Sequence, residues 1–185
     1  MRRVILSNLV SLDGYMAGPG DDIAWFSSLP DSEFEAYAVD TLGSIDTILF
    51  GRVTYELMAG YWPTAKPDAD DPRIIEAMNK LPKIVFSRTL KLVSWNNTRL
   101  VKGDIAQEVA RLKGQPGKDM VIYGSGSLVS ALAPVGMIDE YRIFVAPVVL
   151  GSGKALFRDI AKRVPLKLLD TRKFAAGLIL LRYEP

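Results

Sequence analysis

Residues 121–134, VIYGSGSLVSALAP, join two regular elements through a glycine-rich turn. The first residues form an apolar run typical of a buried strand, and the pattern from about Ser127 to Ala133 is typical of a short helix that Pro134 ends. The turn at residues 124–127 brings free backbone N–H groups to the positive end of the helix dipole. It is therefore either an anion-binding site or a tight strand-to-helix connection, and both belong to an α/β fold.

Short apolar runs elsewhere in the chain predict the remaining strands. The early runs are almost continuously apolar, as expected of parallel strands that are covered on both faces, and helical patterns separate them. After Asp139, three strand-like runs follow one another, which is typical of antiparallel strands. We therefore predict one α/β domain over residues 1–185, with a mixed, mostly parallel central sheet, flanking helices and an antiparallel C-terminal strand set. The predicted strands are Val4–Leu6, Thr47–Phe50, Ile84–Phe86, Met120–Tyr123, Tyr141–Val145, Leu166–Leu169 and Leu178–Tyr183.

Capping signals predict three further helices. Ser32 and Glu35 have the spacing of a capping box, and the helical pattern after them ends at Gly43. Pro72 is suited to the first position of a second helix, because its missing N–H costs nothing there. Asp104 has the properties of an N-cap for a third.

The composition excludes several kinds of chemistry. The 185 residues include no cysteine and no histidine, so disulfides, thiolate nucleophiles and the commonest general base and metal ligand are all absent. We expect no metal site, and we expect a cofactor to carry any difficult chemical step. The 23 basic and 21 acidic residues are spread along the chain, which predicts neither nucleic-acid nor membrane binding. The expected partner is a small molecule, and the expected location is the cytoplasm.

Two further strand ends repeat the pattern of the quoted turn. Phe50 is followed by Gly51, Arg52 and Thr54 at a helix start, and Phe86 is followed by SRT at residues 87–89. Each has a simpler explanation as a helix cap or a solvated charge. In a parallel sheet, however, all three junctions share the carboxyl edge, where nucleotides bind. Together they favour a dinucleotide site, although the quoted turn lacks the third glycine of a standard Rossmann fingerprint.

Five motifs, in this order, resemble the dihydrofolate-reductase-like superfamily, and more closely its branch that contains the reductase domain of the bifunctional riboflavin-biosynthesis deaminase-reductase. The resemblance covers residues 3–183. It implies a dihydrofolate-reductase-like fold, NADPH as the cofactor and a homodimer, since the related reductases commonly dimerise. It also implies a reductase similar to 5-amino-6-(5-phosphoribosylamino)uracil reductase, which delivers a hydride to a ribosyl C1′. The motifs are SLDGYMAGPG (11–20), DTILFGRVTYE (46–56), IVFSRT (84–89), VIYGSGSL (121–128) and APVVLGSGKALF (146–157).

The resemblance implies three groups of cofactor contacts. One group meets the phosphates at a helix start, one holds the pyrophosphate, and Ser87 with Arg88 recognises the 2′-phosphate. A guanidinium prefers a phosphate dianion to a ribose hydroxyl, so Arg88 is expected to select NADPH over NADH. The predicted cofactor-binding residues are Gly51, Arg52, Thr54, Ser87, Arg88, Gly124, Ser125, Gly126, Ser127 and Leu128.

The predicted catalytic residue is Asp13, the acid of the LDG motif, which the resemblance associates with the substrate site. Its alternative role is an Asx-turn that shapes Gly14. The surrounding segment, residues 11–22, is expected to form a mobile loop over the nicotinamide, or an ordinary surface loop rich in turn-forming residues.

Three residues are candidates for substrate binding. Trp25 is either an aromatic wall of the pocket or part of the core. Glu35 best matches, by spacing, the helical acid of the dihydrofolate reductases, although the capping box already explains it. Lys154, beside two glycines, is either a ligand of a substrate phosphate or a solvated lysine.

The departures from the family pattern leave the substrate open. Riboflavin reductases typically have a basic residue after the LDG glycine, where this chain has Tyr15. The alternatives are therefore an NADPH-dependent reductase of another small carbonyl, pterin or heterocyclic compound, and a nucleotide-binding protein without turnover.

Overall fold

The computed structural model of the chain describes residues 1–26, 29 and 32–185. Within these residues the strands are β1 (Val4–Val10), β2 (Tyr15–Ala17), β3 (Ile45–Gly51), β4 (Lys83–Phe86), β5 (Thr98–Val101), β6 (Asp119–Tyr123), β7 (Glu140–Val145), β8 (Lys154–Ala155), β9 (Lys167–Lys173) and β10 (Ile179–Glu184). The helices are α1 (Ser32–Ser44), α2 (Arg52–Tyr61), α3 (Pro72–Lys80), α4 (Ile105–Lys113) and α5 (Gly126–Leu132).

Eight strands form one mixed sheet in the order β5-β4-β3-β6-β1-β7-β10-β9. The first six strands of this order are parallel, and β10 pairs antiparallel with both β7 and β9. This arrangement confirms the predicted mostly parallel sheet with an antiparallel C-terminal set. Because β4, β3, β6 and β1 are consecutive and parallel, the turns that follow them lie along one edge of the sheet.

Helices cover both faces of this sheet. Side chains of α4 and α5, including Val109 and Leu132, pack with one set of strand residues, and Leu42, Tyr55 and Met78 of the first three helices pack with the opposite set. Strands β1, β3, β4 and β6 are buried on both sides, which explains their apolar runs. No helix in the described part of the chain is long and apolar enough to cross a membrane.

The predicted starts of two helices are confirmed. The carboxylate of Asp71 accepts a hydrogen bond from the N–H of Arg73 at 2.8 Å, and Pro72 takes the first position of α3. The carboxylate of Asp104 accepts one from the N–H of Gln107 at 2.8 Å and begins α4. Helix α1 begins at Ser32, the predicted capping residue, and ends at Ser44, one residue beyond the predicted end at Gly43.

Three strands were not predicted from the sequence. Strand β5, TRLV, lies at the edge of the sheet and is only half-buried, so it lacks the continuous apolar run of its neighbours. Strands β2 and β8 are very short and pair only with each other, in a small antiparallel sheet. Their pairing depends on two loops that are distant in sequence, and a local pattern cannot indicate such a contact.

Candidate active site

Direct hydrogen bonds join the turn after β3 to the turn after β6. The N–H of Gly51 donates to the Oγ of Ser125 at 2.6 Å. The N–H and the hydroxyl of Ser125 both donate to the Oγ1 of Thr54, at 3.1 and 3.0 Å. The start of α2 and the turn before α5 therefore form one hydrogen-bonded unit on the carboxyl edge.

Glycine is required where these two turns approach. Gly124 has φ +63°, and a Cβ there would lie 2.6 Å from the Oγ1 of Thr54. A Cβ at Gly51 would lie 3.0 Å from the hydroxyl oxygens of Ser125 and Ser127. Any side chain at Gly124 would thus force the two turns apart, and one at Gly51 would crowd them.

The predicted residues of the glycine-rich turn have different environments. Ser125 is buried, and its hydroxyl is used within the protein. Leu128 is a fully buried core residue, and its N–H donates to the carbonyl of Ser125 at 2.8 Å. Ser127 is exposed on the same turn. The structure therefore presents Ser127 to solvent, whereas Ser125 and Leu128 shape the turn.

The turn after β4 lies beside these two. Phe86 pairs with Gly51 in the sheet. Ser87 and Arg88, which follow Phe86, therefore lie beside the turn that begins at Gly51. The Oγ of Ser87 accepts hydrogen bonds from the backbone N–H groups of Thr89 and Leu90 at 3.2 and 2.9 Å, which closes the turn. Arg88 is exposed, and among the described residues no carboxylate forms an ion pair with it.

The other arginine of this edge, Arg52, is engaged on its own helix. Its Nη1 lies 2.8 Å from the Oε2 of Glu56, one turn further along α2, and both side chains are about half exposed. An exposed pair of this kind contributes little and can be exchanged for another anion.

Asp13 follows β1 on the same edge and accepts three hydrogen bonds. Its donors are the hydroxyl of Ser11 at 2.6 Å and the backbone N–H groups of Leu150 and Gly151 at 3.1 and 2.7 Å. The hydrogen bond from Ser11, helped by the two backbone N–H groups, lowers the pKa of Asp13 below its usual value. Asp13 is therefore an ionised carboxylate at neutral pH.

Lys154 lies in β8, which pairs with β2 of the segment predicted to cover the nicotinamide. Its ammonium group forms an ion pair with Asp21 of that segment. The structure thus brings Asp13 and Lys154 to the same pair of loops at the carboxyl edge.

Trp25 and Glu35 lie on the α1 side of the sheet. Trp25 packs against the apolar cluster around Phe144 and Phe174, and its indole N–H is buried without a hydrogen-bond partner in the described part of the chain. Glu35 is half-buried and follows Phe34, which packs against the same cluster. The structure associates Trp25 with the core, and it places neither residue in hydrogen-bond contact with the glycine turns.

Sequence reasoning missed Asn8, which connects three parts of this edge. Its Oδ1 accepts a hydrogen bond from the N–H of Gly124 at 2.9 Å, and its Nδ2 donates to the Sδ of Met16 at 3.0 Å. Asn8 is 6% exposed and lies within β1. The signal was an amide side chain in a strand whose other residues, apart from Ser7, are apolar, just beyond the predicted strand end at Leu6.

Comparisons with solved structures define the class of fold. The chain superposes over its full length on a putative riboflavin biosynthesis protein from Shewanella sp. PV-4, with a TM-score of 0.77, 23% identity and 98% of that chain covered. A deaminase/5-amino-6-(5-phosphoribosylamino)uracil reductase from Thermotoga maritima gives a TM-score of 0.70 at 16% identity, and the present chain covers 56% of it. Dihydrofolate reductase from Enterococcus faecalis, complexed with NADP(H), gives 0.62 at 13% identity over 98% of this chain and 95% of that one. The fold is dihydrofolate-reductase-like.

The sequence comparison specifies the family. Residues 2–180 match the family model described as the RibD C-terminal domain, and the chain belongs to this family. The uncharacterized protein YyaP of Bacillus subtilis (strain 168) is 37% identical over 183 residues, which cover 99% of this chain and 95% of YyaP.

Proposed function

We propose that the protein is an NADPH-dependent reductase that resembles 5-amino-6-(5-phosphoribosylamino)uracil reductase. The observation that carries this proposal is the hydrogen-bonded unit of Gly51, Thr54 and Ser125 on the carboxyl edge, in a chain of the RibD C-terminal domain family. The Thermotoga maritima protein named above, which shares the fold, is a reductase of this kind by its name.

The residues of this edge fit an anionic dinucleotide. The two turns meet at Gly51 and Gly124, and Ser127, on the second turn, is exposed. The exposed guanidinium of Arg88 stands one strand away and suits a 2′-phosphate, because it can donate two parallel hydrogen bonds. Gly51, Arg52 and Thr54 would hold the phosphates at the start of α2, and residues 124–127 would hold the pyrophosphate.

The proposed reaction requires the protein mainly to position the cofactor and the substrate. NADPH, when bound, would supply the hydride that reduces the C1′ carbon of the open-chain imine, and water would supply the proton for the nitrogen, so that an amine and NADP⁺ result. Lys154 would hold the substrate phosphate, and the two loops that carry Asp13 and Lys154 would cover the reacting atoms. A reaction in which the cofactor supplies the hydride and water supplies the proton suits a chain without histidine.

The test has two stages. Added NADPH is expected to raise the melting temperature, since a ligand at 100 times its Kd stabilises the folded state by about 2.7 kcal/mol. The reduced nicotinamide absorbance is then expected to fall when the riboflavin intermediate is added. Binding without turnover of this intermediate would favour another substrate or a sensor, and no binding would reject the proposal.

A second candidate is a reductase of another small carbonyl, pterin or heterocyclic compound. The observation that favours it is Tyr15, which stands where the riboflavin reductases typically have a basic residue and which lies in β2, paired with Ala155 next to Lys154. A panel of such compounds, assayed by NADPH oxidation, separates the two candidates.

We further propose a homodimer formed through the C-terminal strands. Edge strand β9 is exposed at all seven residues, and Leu168 and Ile179 are 51% and 43% exposed. An uncovered strand edge with apolar side chains suits pairing with a second copy across a two-fold axis. Sedimentation is expected to give a dimer that Leu168→Asp weakens, and a wild-type monomer at micromolar concentration would refute this.

A further inference from the structure

Two loops that are distant in sequence form one unit above the end of β1. The N–H of Leu12 donates to the carbonyl of Val148 at 2.7 Å, and the N–H of Leu156 donates to the carbonyl of Gly14 at 3.1 Å. Strands β2 and β8 add further pairing. Backbone hydrogen bonds therefore join the loop at residues 11–18 to the loop at residues 148–156 at both ends of the second loop.

The fit between these loops is close. Gly153 has φ +143°, and a Cβ there would lie 2.0 Å from the carbonyl oxygen of Ala17. Gly126, at the start of α5, also lies against this unit, since a Cβ there would lie 3.3 Å from the Cε of Met16 and 3.5 Å from the carbonyl oxygen of Ala155. A shift of either loop would therefore change the surroundings of Lys154, which lies between Gly153 and Ala155.

Asp13 connects the two loops through a side chain. Its Oδ1 accepts hydrogen bonds from the Ser11 hydroxyl and the Leu150 N–H, and its Oδ2 accepts one from the Gly151 N–H. Both oxygens are thus engaged by protein donors. An ionised carboxylate in this state is a weak proton donor at neutral pH, and protonation would weaken these hydrogen bonds because it removes the negative charge of the acceptor.

We propose that Asp13 is a positioning residue that, through the N–H groups of Leu150 and Gly151, fixes the loop at residues 148–156 and with it the place of Lys154. It transfers no proton to the substrate. This inference rests on the proposed reductase function, because it assigns Lys154 to the substrate side of the site. Its structural part concerns the loops alone and can be measured without turnover.

The proposal makes a graded prediction for two substitutions. Asp13→Ala removes every acceptor from the two backbone N–H groups, whereas Asp13→Asn keeps one acceptor oxygen and so retains part of the contact. The loop and the substrate KM are expected to change more in Asp13→Ala than in Asp13→Asn. A residue that transfers a proton would instead lose its function equally in both variants.

The first measurement is amide hydrogen exchange by NMR on the full chain. In Asp13→Ala, exchange at Leu150 and Gly151 is expected to accelerate by about tenfold or more, with a smaller change in Asp13→Asn. Exchange at Ser125 serves as the internal reference and is expected to stay constant. Unchanged exchange at Leu150 and Gly151 in Asp13→Ala would overturn the proposal.

The second measurement separates KM from kcat with the riboflavin intermediate and NADPH. The KM for the intermediate is expected to rise by about tenfold or more in Asp13→Ala, while kcat and the KM for NADPH change by less than about threefold. A fall in kcat of about 100-fold or more in both variants, with KM unchanged, would establish proton transfer and overturn the proposal.

The matched control is Asp104→Ala. Asp104 also accepts a backbone N–H with its carboxylate, but at the start of α4, so the variant removes the same kind of contact elsewhere. It is expected to leave exchange at Leu150 and both kinetic constants unchanged. If the wild type fails to oxidise NADPH with this intermediate, the proposed substrate is wrong, and the exchange result alone decides the role of Asp13.

Discussion

At the amino edge of the central sheet, charged side chains are buried against their partners, whereas Arg52, Arg88 and Lys154 at the carboxyl edge are at least partly exposed. Arg2 is 7% exposed, pairs with Asp46 and donates to the Oγ1 of Thr47 at 2.7 Å. Lys83 is 1% exposed, and its ammonium donates to the carbonyls of Met78 and Leu81 at 2.8 and 2.7 Å. These charges stabilise the strand starts and the end of α3, and their hydrogen bonds are already used.

The carboxyl edge differs in kind. Arg88 and Ser127 are exposed, and they lie beside the two glycine turns, whose contact is buried. A groove of about 520 Å³ nevertheless lies at the amino edge, lined in part by Arg2, Lys83 and Trp95. Its buried cations are already neutralised or hydrogen-bonded, so its size does not indicate a site. The comparison teaches that exposed polar groups such as Arg88 and Ser127, and not concavity, mark the candidate functional edge.

The largest expected effect concerns Glu140 at the amino edge. This carboxylate is fully buried and receives Arg3, Arg142 and Arg182 at 2.7 to 2.9 Å. Burial alone would raise the pKa of Glu140, but the hydrogen bonds from Arg142 and Arg182 hold it below its usual value. Glu140→Ala is expected to destabilise the fold by about 3 to 5 kcal/mol, since it leaves buried charge unpaired.

Urea denaturation of the purified variants measures this effect. The control is Glu184→Ala, which removes an exposed pair with Lys167 and is expected to cost no more than about 1 kcal/mol. At a urea concentration that leaves it folded, Glu140→Ala is expected to keep its affinity for NADPH. A loss of affinity would mean that the two edges are coupled, and the contrast between a structural edge and a binding edge would then be wrong.

The next effect concerns two glycines with the same backbone conformation. Gly124 and Gly136 have φ +63° and +67°, but a Cβ at Gly136 meets nothing within 4 Å. Gly136→Ala is expected to cost about 1 to 2 kcal/mol for its left-handed conformation. Gly124→Ala adds a clash with Thr54, which is expected to lower the free energy of unfolding by roughly a further 1 to 3 kcal/mol. It is also expected to weaken the binding of NADPH.

Thermal or urea unfolding of both alanine variants, followed by titration with NADPH, checks this prediction. Equal stability losses in the two variants would mean that the turns separate without cost. In that case the contact between the glycine turns would not define the candidate site.

A third prediction sharpens the assignment of the exposed guanidinium. Arg88→Ala is expected to lower the affinity for NADPH by roughly 10- to 100-fold, because a charge-assisted hydrogen bond to the 2′-phosphate is lost. The affinity for NADH is expected to fall by much less. Lys91→Ala, an exposed cation in the same loop, is the control and is expected to have little effect. Fluorescence titration with both nucleotides measures the ratio, and equal losses would remove the assignment.

The smallest effect is a pH dependence of stability in the groove at the amino edge. The hydrogen bond from Arg111, with that from Arg99, lowers the pKa of Glu108 from an ordinary 4.5 to about 2. A depressed folded-state pKa stabilises the protein above pH 4.5, and this contribution is lost as the pH falls towards 2. It is expected to amount to about 1 kcal/mol.

Urea unfolding of the wild type and Glu108→Gln at a series of pH values tests this. The difference between the two proteins is expected near neutral pH and should vanish in acid. A difference that persists unchanged at the lowest pH would show that the hydrogen bonds, and not the charge of Glu108, stabilise this groove.

Local patterns predicted the central strands well because those strands are buried on both faces. The runs around Leu49, Val85 and Val121 are continuous, and each became a strand of the parallel sheet. Edge strand β5 and the short strands β2 and β8 were not predicted, because their pairing depends on partners that local periodicity does not reveal. The same reason hid the contact between Asn8 and Gly124, which joins residues 116 positions apart.

The cofactor and substrate assignments remain predictions, but the structure changes how several residues would act. Ser125 and Leu128 were predicted to bind the cofactor, and their polar groups are used to shape the turn. Trp25 was predicted as a pocket wall or as core, and it packs with the core. A sequence motif marks where a turn lies, whereas the direction of each donor is set by its neighbours.

By itself, the sequence determined the class of fold, the positions of the glycine turns and the chemistry that is excluded, because these follow from hydrophobic periodicity, backbone freedom and the absence of cysteine and histidine. Only the tertiary structure decided that the turns after β3 and β6 touch, that Asp13 bonds to Leu150 and Gly151, and which cations remain exposed. The physical reason is that strand order and loop packing join residues that are distant in sequence, and no local pattern encodes these contacts.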